Sequence, residues 1–336
     1  MNLHPIMICI IRRVGYGVAS VLLLLAGCAK PTPEDGPPLR KVVLQTDWFP
    51  QAEHGGFYQA LAKGFYRDAG LDVEIVPGGP GAAIKIKVAK GDATFGMLRS
   101  DDAAMAVANG LPLVVVAATM QHDAEALLLH ANDPVQDFSD LDGRTVMAPV
   151  SMVWIPFIQK KYGVKFDLIP TTYGLGAFLG DRDFIQSCFL TSEPYYAAEK
   201  GVAVRTLPLT QAGYDIYQGI VCRRELTRTE PDLVRAFIAA TIQGWRDYLE
   251  NDPTPANQLI LARNGNMTQG QLDYSRQALI DHSLVGGFAE RGETIGRIDL
   301  ARVQADIDLL REFNVLQKPL RAEEVATTEF LPEEAR

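Results

Sequence analysis

The stretch "KVVLQTDWFPQAEHGGFYQALAKGFYRDAGLDVEIVPGG", residues 41–79, decides the fold. Residues 41–48 form a β-rich run that ends in polar and aromatic side chains, and Phe57, Leu61 and Phe65 then recur at helical spacing. Gly64 and Gly70 punctuate the turns, and "LDVEIV" (71–76) alternates apolar and polar residues as a half-covered strand does. A strand, a helix and a second strand in this order predict a parallel pair joined by a helical crossover. Downstream the rhythm continues. The loop Pro77-Gly78-Gly79-Pro80-Gly81 leads into the amphipathic helix "AAIKIKVAK" (82–90), the strand "ATFGML" (93–98), the helix "DDAAMAVANG" (101–110) and the buried strand "LPLVVVAA" (111–118). Such alternation predicts an α/β fold with a mainly parallel sheet flanked by helices, and a ligand crevice at the carboxyl ends of the strands.

A second cycle follows "EALLLHAND" (125–133). "FSDLDGRTVMAP" (138–149) reads as a turn and a strand, and Ser151 is placed to cap a helix that Pro156 kinks and Gly163 ends. "FDLIPTT" (166–172), "FIQSCFL" (184–190) and "VAVRTLPL" (202–209) read as strands, with "EPYYAAEKG" (193–201) as a helix between them. After the strand in "YDIYQGIVCRREL" (214–226), Thr229-Glu230-Pro231 starts a largely helical region in which Leu233, Phe237, Thr241, Trp245 and Tyr248 form one stripe. Two α/β cycles predict two lobes, residues 40–128 with 220–320 and residues 129–219, joined by connecting strands near 126–132 and 216–222. Residues 321–336 are acidic and without periodicity, and are expected to be loosely ordered. Two lobes on a two-strand hinge close on a ligand like a clam.

The N-terminus sets the compartment. Arg12 and Arg13 precede the apolar run 14–25, and Leu25-Ala26-Gly27-Cys28 has the form of a lipobox. Residues 1–27 are expected to be a lipoprotein signal peptide, with Cys28 carrying lipid and 28–39 forming a Pro-rich tether. The formal charge is −9, and loss of Arg12 and Arg13 with residues 1–27, which hold no acid, takes it to −11. This acidity argues against a nucleic-acid partner and favours a soluble monomer. Cys188 and Cys222 remain in the body and read as two buried thiols on strands, with a disulfide as the alternative in an oxidising compartment. No Cys/His spacing marks a metal site.

The richest polar-aromatic cluster is Asp47-Trp48-Phe49-Pro50 with Glu53-His54-Gly55-Gly56-Phe57-Tyr58, where the first strand meets the first helix. Trp48 can stack on a flat ring, Asp47 can accept hydrogen bonds from ring nitrogens, and His54 can donate or accept; Tyr58 belongs to the same group. Arg99 and Ser100 follow the strand 93–98, Ser100 being also a plausible helix cap. Trp154 stands at a third strand-to-helix turn, and Tyr173 and Glu193 complete the set on the second lobe, Glu193-Pro194 reading equally as a simple helix start. Bulky side chains and the lack of glycine at "PVSMVW" (149–154) argue against a phosphate cradle there.

These residues carry a resemblance. "QTDWFPQAEHGGFYQALAKGFYRDAGLDVEIVPGG", "GLPLVVVAA", "DLDGRTV" and "FLTSEPYYAAEKG" resemble the family that joins periplasmic binding proteins for thiamine-pyrimidine precursors and aliphatic sulfonates with the fungal thiamine-pyrimidine synthase. The resemblance implies a type II two-lobed periplasmic-binding-protein fold and a monomeric receptor that delivers a small molecule to the permease and ATPase of an ABC importer. It places Asp47, Trp48 and Glu193 in the pocket, with His54 on a histidine that recurs in the pyrimidine branch. The enzymes of the family carry a lysine and a histidine where this chain has Leu98 and Asp102, and a cysteine cluster where it has Gly219-Ile220-Val221-Cys222. Without that lysine no Schiff base forms, so the expected role is binding, without catalysis or cofactor. The expected ligand is a flat nitrogen heterocycle, a thiamine-pyrimidine precursor first, riboflavin or another aromatic vitamin second, and a sulfonate third. The expected location is extracytoplasmic, on a lipid anchor.

Overall fold

The computed structural model describes residues 38–336. The expected signal peptide, the expected lipid attachment at Cys28 and the expected tether as far as Pro37 lie outside the described residues. Among the described residues, ten strands form two five-stranded sheets. The first is ordered β2-β1-β3-β10-β4, from β1 (Arg40–Gln45), β2 (Leu71–Val76), β3 (Phe95–Arg99), β4 (Leu113–Met120) and β10 (Gln218–Arg223). The second is ordered β7-β6-β8-β5-β9, from β5 (Glu125–His130), β6 (Thr145–Ala148), β7 (Asp167–Pro170), β8 (Ile185–Phe189) and β9 (Val204–Pro208).

β1 runs parallel to β2 and β3, and β6 parallel to β7 and β8. One strand in each sheet runs against its neighbours: β10 pairs antiparallel with β3 and β4, and β5 with β8 and β9. These are the strands on which the chain arrives from the other sheet. The links between sheets are therefore residues 121–124 and 209–217, a few residues ahead of the expected crossings at 126–132 and 216–222. The shift has a plain cause: apolar β5 and β10 are each paired on both sides within one sheet, which consumes their backbone groups. In β4 all eight residues are buried, as a run of Val and Ala covered on both faces should be. β2 at the sheet edge keeps its alternation, with Asp72 and Glu74 outward.

Helices α1 (Gly55–Ala62), α2 (Phe65–Asp68), α3 (Ile84–Lys90) and α4 (Ser100–Ala108) cross between the first four strands. The Phe57-Leu61-Phe65 stripe is divided between α1 and α2 because Gly64 adopts φ 80°. The second sheet carries α5 (Trp154–Tyr162), α6 (Gly176–Gly180) and α7 (Glu193–Glu199). Ser151 does not cap α5. The residue before the helix is Val153, which makes no side-chain cap, and Pro156 falls in the first turn, where its missing N–H costs nothing and no kink is required.

The chain then returns to the first lobe with α8 (Leu226–Thr229), α9 (Pro231–Glu250), α10 (Thr254–Arg263), α11 (Gln269–Asp281), α12 (Leu300–Glu312) and α13 (Ala322–Val325). The α9 stripe Leu233, Phe237, Thr241, Trp245 and Tyr248 is wholly inward. A Cβ on Gly55 or Gly56 would enter the rings of Tyr248 and Trp245, so this glycine pair is what lets α1 lie against α9.

The segment expected to be loosely ordered, 321–336, is packed. Val325, Phe330, Leu331 and Ala335 are buried, Ala326 bridges to Val115, and the Thr327 N–H donates to the Val115 carbonyl at 3.0 Å. A few apolar residues in an acidic stretch suffice to cover the open edge of β4, and they make no periodicity. One face of the first sheet packs under α1, α9 and α11. The apolar core on the other face continues into the second lobe through Tyr214, Ile216 and Tyr217 of the return link. Cys188 on β8 and Cys222 on β10 are free, buried thiols in different sheets.

Candidate functional site

The strand ends of the two sheets meet. Beyond β1, the turn 46–48 is fixed by the Gly-rich loop after β2: the Gly78 N–H donates to the Trp48 carbonyl at 2.9 Å and the Gly79 N–H to that of Asp47 at 3.1 Å. A Cβ at Gly78 would collide with the backbone of Thr46 and Asp47, so glycine is required for this approach. The cradle leaves the Trp48 side chain half-exposed between Phe49, 5.5 Å away edge to face, and Tyr173 of the other lobe. Trp48 and Tyr173 have ring centroids 5.0 Å apart at 45°. A ligand ring stacked between two aromatics needs roughly 7 Å, twice a van der Waals separation. Tyr173 therefore covers Trp48 in this conformation. Tyr173 is 55% exposed and holds φ 56°, uncommon for a bulky residue.

Carboxyl groups gather in the same segments. Asp47 contacts His54 Nε2 through Oδ1 at 2.8 Å and accepts from Gln218 Nε2 through Oδ2 at 2.6 Å. His54 is wholly buried, and its Nδ1 has no hydrogen-bond partner among the described residues. Glu53, also buried, accepts from the Thr191 hydroxyl of the other lobe. Burial pushes its pKa up against the opposing effect of that hydrogen bond. Glu193 opens α7 and accepts from the Phe189 N–H at 2.8 Å. Burial raises it to about 7, with Glu53 and Glu125 adding to the effect.

A second group joins the lobes. Arg99 at the end of β3 donates to Glu125 at 2.7 Å and Asp123 at 3.0 Å, and its Nε lies 3.5 Å from Asp101. Glu125 also accepts from Trp154 Nε1 and from the Ser187 hydroxyl, each at 2.8 Å, and Tyr214 donates to Asp101. Burial lifts Asp123 to about 7, Arg99 working against this and Glu125 and Asp101 with it. One guanidinium thus faces three buried carboxylates, its two terminal nitrogens donating to Asp123 and Glu125 while Nε only approaches Asp101.

The site residues expected from sequence divide accordingly. Asp47, Trp48, His54, Tyr173 and Glu193 lie around the strand ends. Arg99 and Trp154 lie in the ionic cluster, Trp154 with no exposed surface, so Tyr173 and not Trp154 stands opposite Trp48. Ser100 is the first residue of α4 rather than its cap; its Oγ accepts from the Tyr217 N–H at 3.1 Å and holds the return link. Tyr58 is buried in the α1 packing with Arg263 over its ring. Sequence reasoning missed Asp123, Glu125, Gln218 and Thr191. Glu125 carried a signal, an acid opening the apolar run "EALLLH". A surface depression of about 590 Å3 between α9 and the tail, lined by Arg235, Phe330 and Leu331, shares no residue with these groups.

Two mixed sheets flanked by helices, linked by two segments, with strand ends that face one another, define a two-lobed α/β periplasmic-binding-protein fold. Its likeness to the alkanesulfonate-binding protein SsuA from Xanthomonas axonopodis pv. citri bound to MOPS has a TM-score of 0.62 at 13% identity, covering 87% of this chain and 100% of that one. The chain belongs to the NMT1/THI5-like family, whose model matches residues 51–256, more than half of it. The formylaminopyrimidine-binding protein of Halalkalibacterium halodurans is 26% identical over 250 residues, 71% of this chain and 76% of that protein. The riboflavin-binding protein RibY of Chloroflexus aurantiacus is 24% identical over 341 residues, 93% and 95% of the two chains. A yeast 4-amino-5-hydroxymethyl-2-methylpyrimidine phosphate synthase, THI11, is 20% identical over 250 residues, 65% and 73%.

Proposed function

We propose that this protein is the substrate-binding lipoprotein of an ABC importer and captures a small, flat, neutral or cationic nitrogen heterocycle, a thiamine-pyrimidine precursor in the first place. The observation that carries the reading is the Trp48–Tyr173 pair, contributed by opposite lobes, together with the carboxyl groups of Asp47, Glu53 and Glu193 on the segments that meet there. Aromatic faces take a planar ring, carboxyl groups take its amino and ring N–H donors, and the group offers an anion no free cation. The chemistry counts against a sulfonate, since Arg99 is occupied by three acids. Riboflavin is the second reading, favoured by an apolar rim on which Phe49, Tyr173 and Phe189 are exposed and by the length over which RibY aligns.

A synthase-type enzyme is disfavoured. Leu98, in the place of the family's lysine, is a buried strand residue, and Asp102 pairs with Lys85 at 2.9 Å. We assign no cofactor and no catalytic residue. The permease and ATPase are the proposed partners of a monomeric receptor, and Cys28 is the proposed lipid anchor, holding it outside the cytoplasm. The test is calorimetric titration with a formylaminopyrimidine, riboflavin and an alkanesulfonate. A heterocycle is expected to bind, and Trp48→Ala to weaken it at least tenfold. Binding of the sulfonate alone, or heterocycle binding untouched by Trp48→Ala, would overturn the proposal.

A further inference from the structure

We infer that helix α11 is a latch that holds the two lobes together, and that Gln271 and Ser275 are positioning residues of the binding site although neither belongs to its ligand-facing groups. The inference rests on the reading of the cleft as a ligand site. Gln271 Nε2 and Ser275 Oγ both donate to the Thr191 carbonyl, at 2.9 and 2.6 Å, and the Tyr274 hydroxyl donates to the Leu190 carbonyl at 3.2 Å. Residues 271 and 275 stand one helical turn apart on one face, and the Thr268 side chain caps the helix start by accepting from the Gln271 N–H at 3.1 Å. Gln271, Ser275 and Thr191 are all buried. Tyr195 adds a contact: its ring lies 5.5 Å from that of Tyr274, and its hydroxyl would be 2.7 Å from a Cβ on Gly270.

What α11 grips is the turn after β8 that carries Glu193, and Thr191 on the same turn reaches Glu53 in the segment that carries His54. The latch thus ties a candidate ligand segment of one lobe to one of the other, and does so apart from the two covalent links at 121–124 and 209–217. A binding protein is competent only in the arrangement that brings both segments together, and its apparent affinity falls with the fraction in that arrangement. Loss of the latch lowers that fraction while leaving every ligand-facing side chain in place.

Hydrogen exchange by mass spectrometry on the purified full chain tests this. In Gln271→Ala/Ser275→Ala, and more weakly in Ser275→Ala, exchange of residues 189–196 is expected to rise at least tenfold while α9 keeps its protection; Ser275→Thr restores it. For whichever of riboflavin and a formylaminopyrimidine the parent protein binds, affinity falls about tenfold in the double variant. Unchanged exchange at 189–196 in a variant with α9 still protected overturns the latch, and raised exchange with unaltered affinity overturns its positioning role. Should neither compound bind the parent, the ligand reading fails while the exchange result still decides the latch.

Discussion

The ends of β1 and β3 hold equivalent places in the first sheet and follow the same strand-to-helix logic, yet they are put to opposite uses. Beyond β3, Arg99 is buried among Asp101, Asp123 and Glu125, a set that spans the first lobe, the outward link and the first residue of β5. Beyond β1, Trp48 stays half-exposed, its ring set against Phe49 and against Tyr173 of the other lobe. Charge placed at a strand end and paired ties two lobes together, whereas an aromatic ring on a glycine cradle stays partly exposed and meets the other lobe only through another ring. Position in the topology marks where a site can form; the pairing of the side chains there decides whether it does.

This contrast is breakable by substitution. The largest effect is expected from Arg99→Ala, which strands three buried carboxylates and should cost about 3–5 kcal/mol in urea unfolding. Trp48→Ala, at the matching place, is expected to cost roughly 1 kcal/mol of stability while removing at least a tenfold factor in ligand affinity. Equal stability losses for the two variants would erase the distinction.

A pH series sharpens it next. Asp123 and Glu193 titrate at about 7 in the folded chain and at about 4 when unfolded, so between these values the folded state binds more protons and stability falls as pH rises. His122 acts in the same direction. Burial opposes its charge, but Asp215 at 2.7 Å and Glu293 at 2.8 Å outweigh this and raise its pKa, so its contribution is present at acid pH and is lost as pH rises through the folded value. The melting temperature is therefore expected to be higher at pH 5.5 than at pH 8, and Asp123→Asn should flatten the profile; a profile rising toward pH 8 would contradict the assignment.

The smallest effect on folding belongs to Tyr173→Ala, within about 0.5 kcal/mol for an exposed side chain. It uncovers Trp48, so its emission should move to the red and iodide quenching should increase. Unchanged quenching would mean that Tyr173 does not cover the indole in solution.

Much of this was legible in the sequence because it is local. The alternation of "LDVEIV", the apolar run of β4 and the α9 stripe each report a buried face directly, and the crowding of Asp47, Trp48 and His54 marked the strand end that faces the other lobe. What was hidden depends on long-range pairing. Arg99 meets partners 24 and 26 residues away, and Thr191 meets Gln271 across 80, separations that leave no periodicity. Trp154 stood among the candidate site residues because indole serves equally as core and as ligand surface; its complete burial and the Glu125 carboxylate beside its Nε1 separate the two roles. The closing segment around Phe330 was missed for a similar reason, its few apolar residues fitting a sheet edge that sequence alone does not expose.

The central claim, that the cleft takes a flat heterocycle on Trp48 and rejects anions, has a direct reporter. Of the three tryptophans, Trp154 and Trp245 have no exposed surface, which leaves Trp48 as the one that senses a ligand. Titrating the protein with a formylaminopyrimidine, riboflavin and an alkanesulfonate while following tryptophan emission is predicted to give saturable quenching by a heterocycle, lost in Trp48→Phe, and no response to the sulfonate. Saturable quenching by the sulfonate with none from either heterocycle would contradict it.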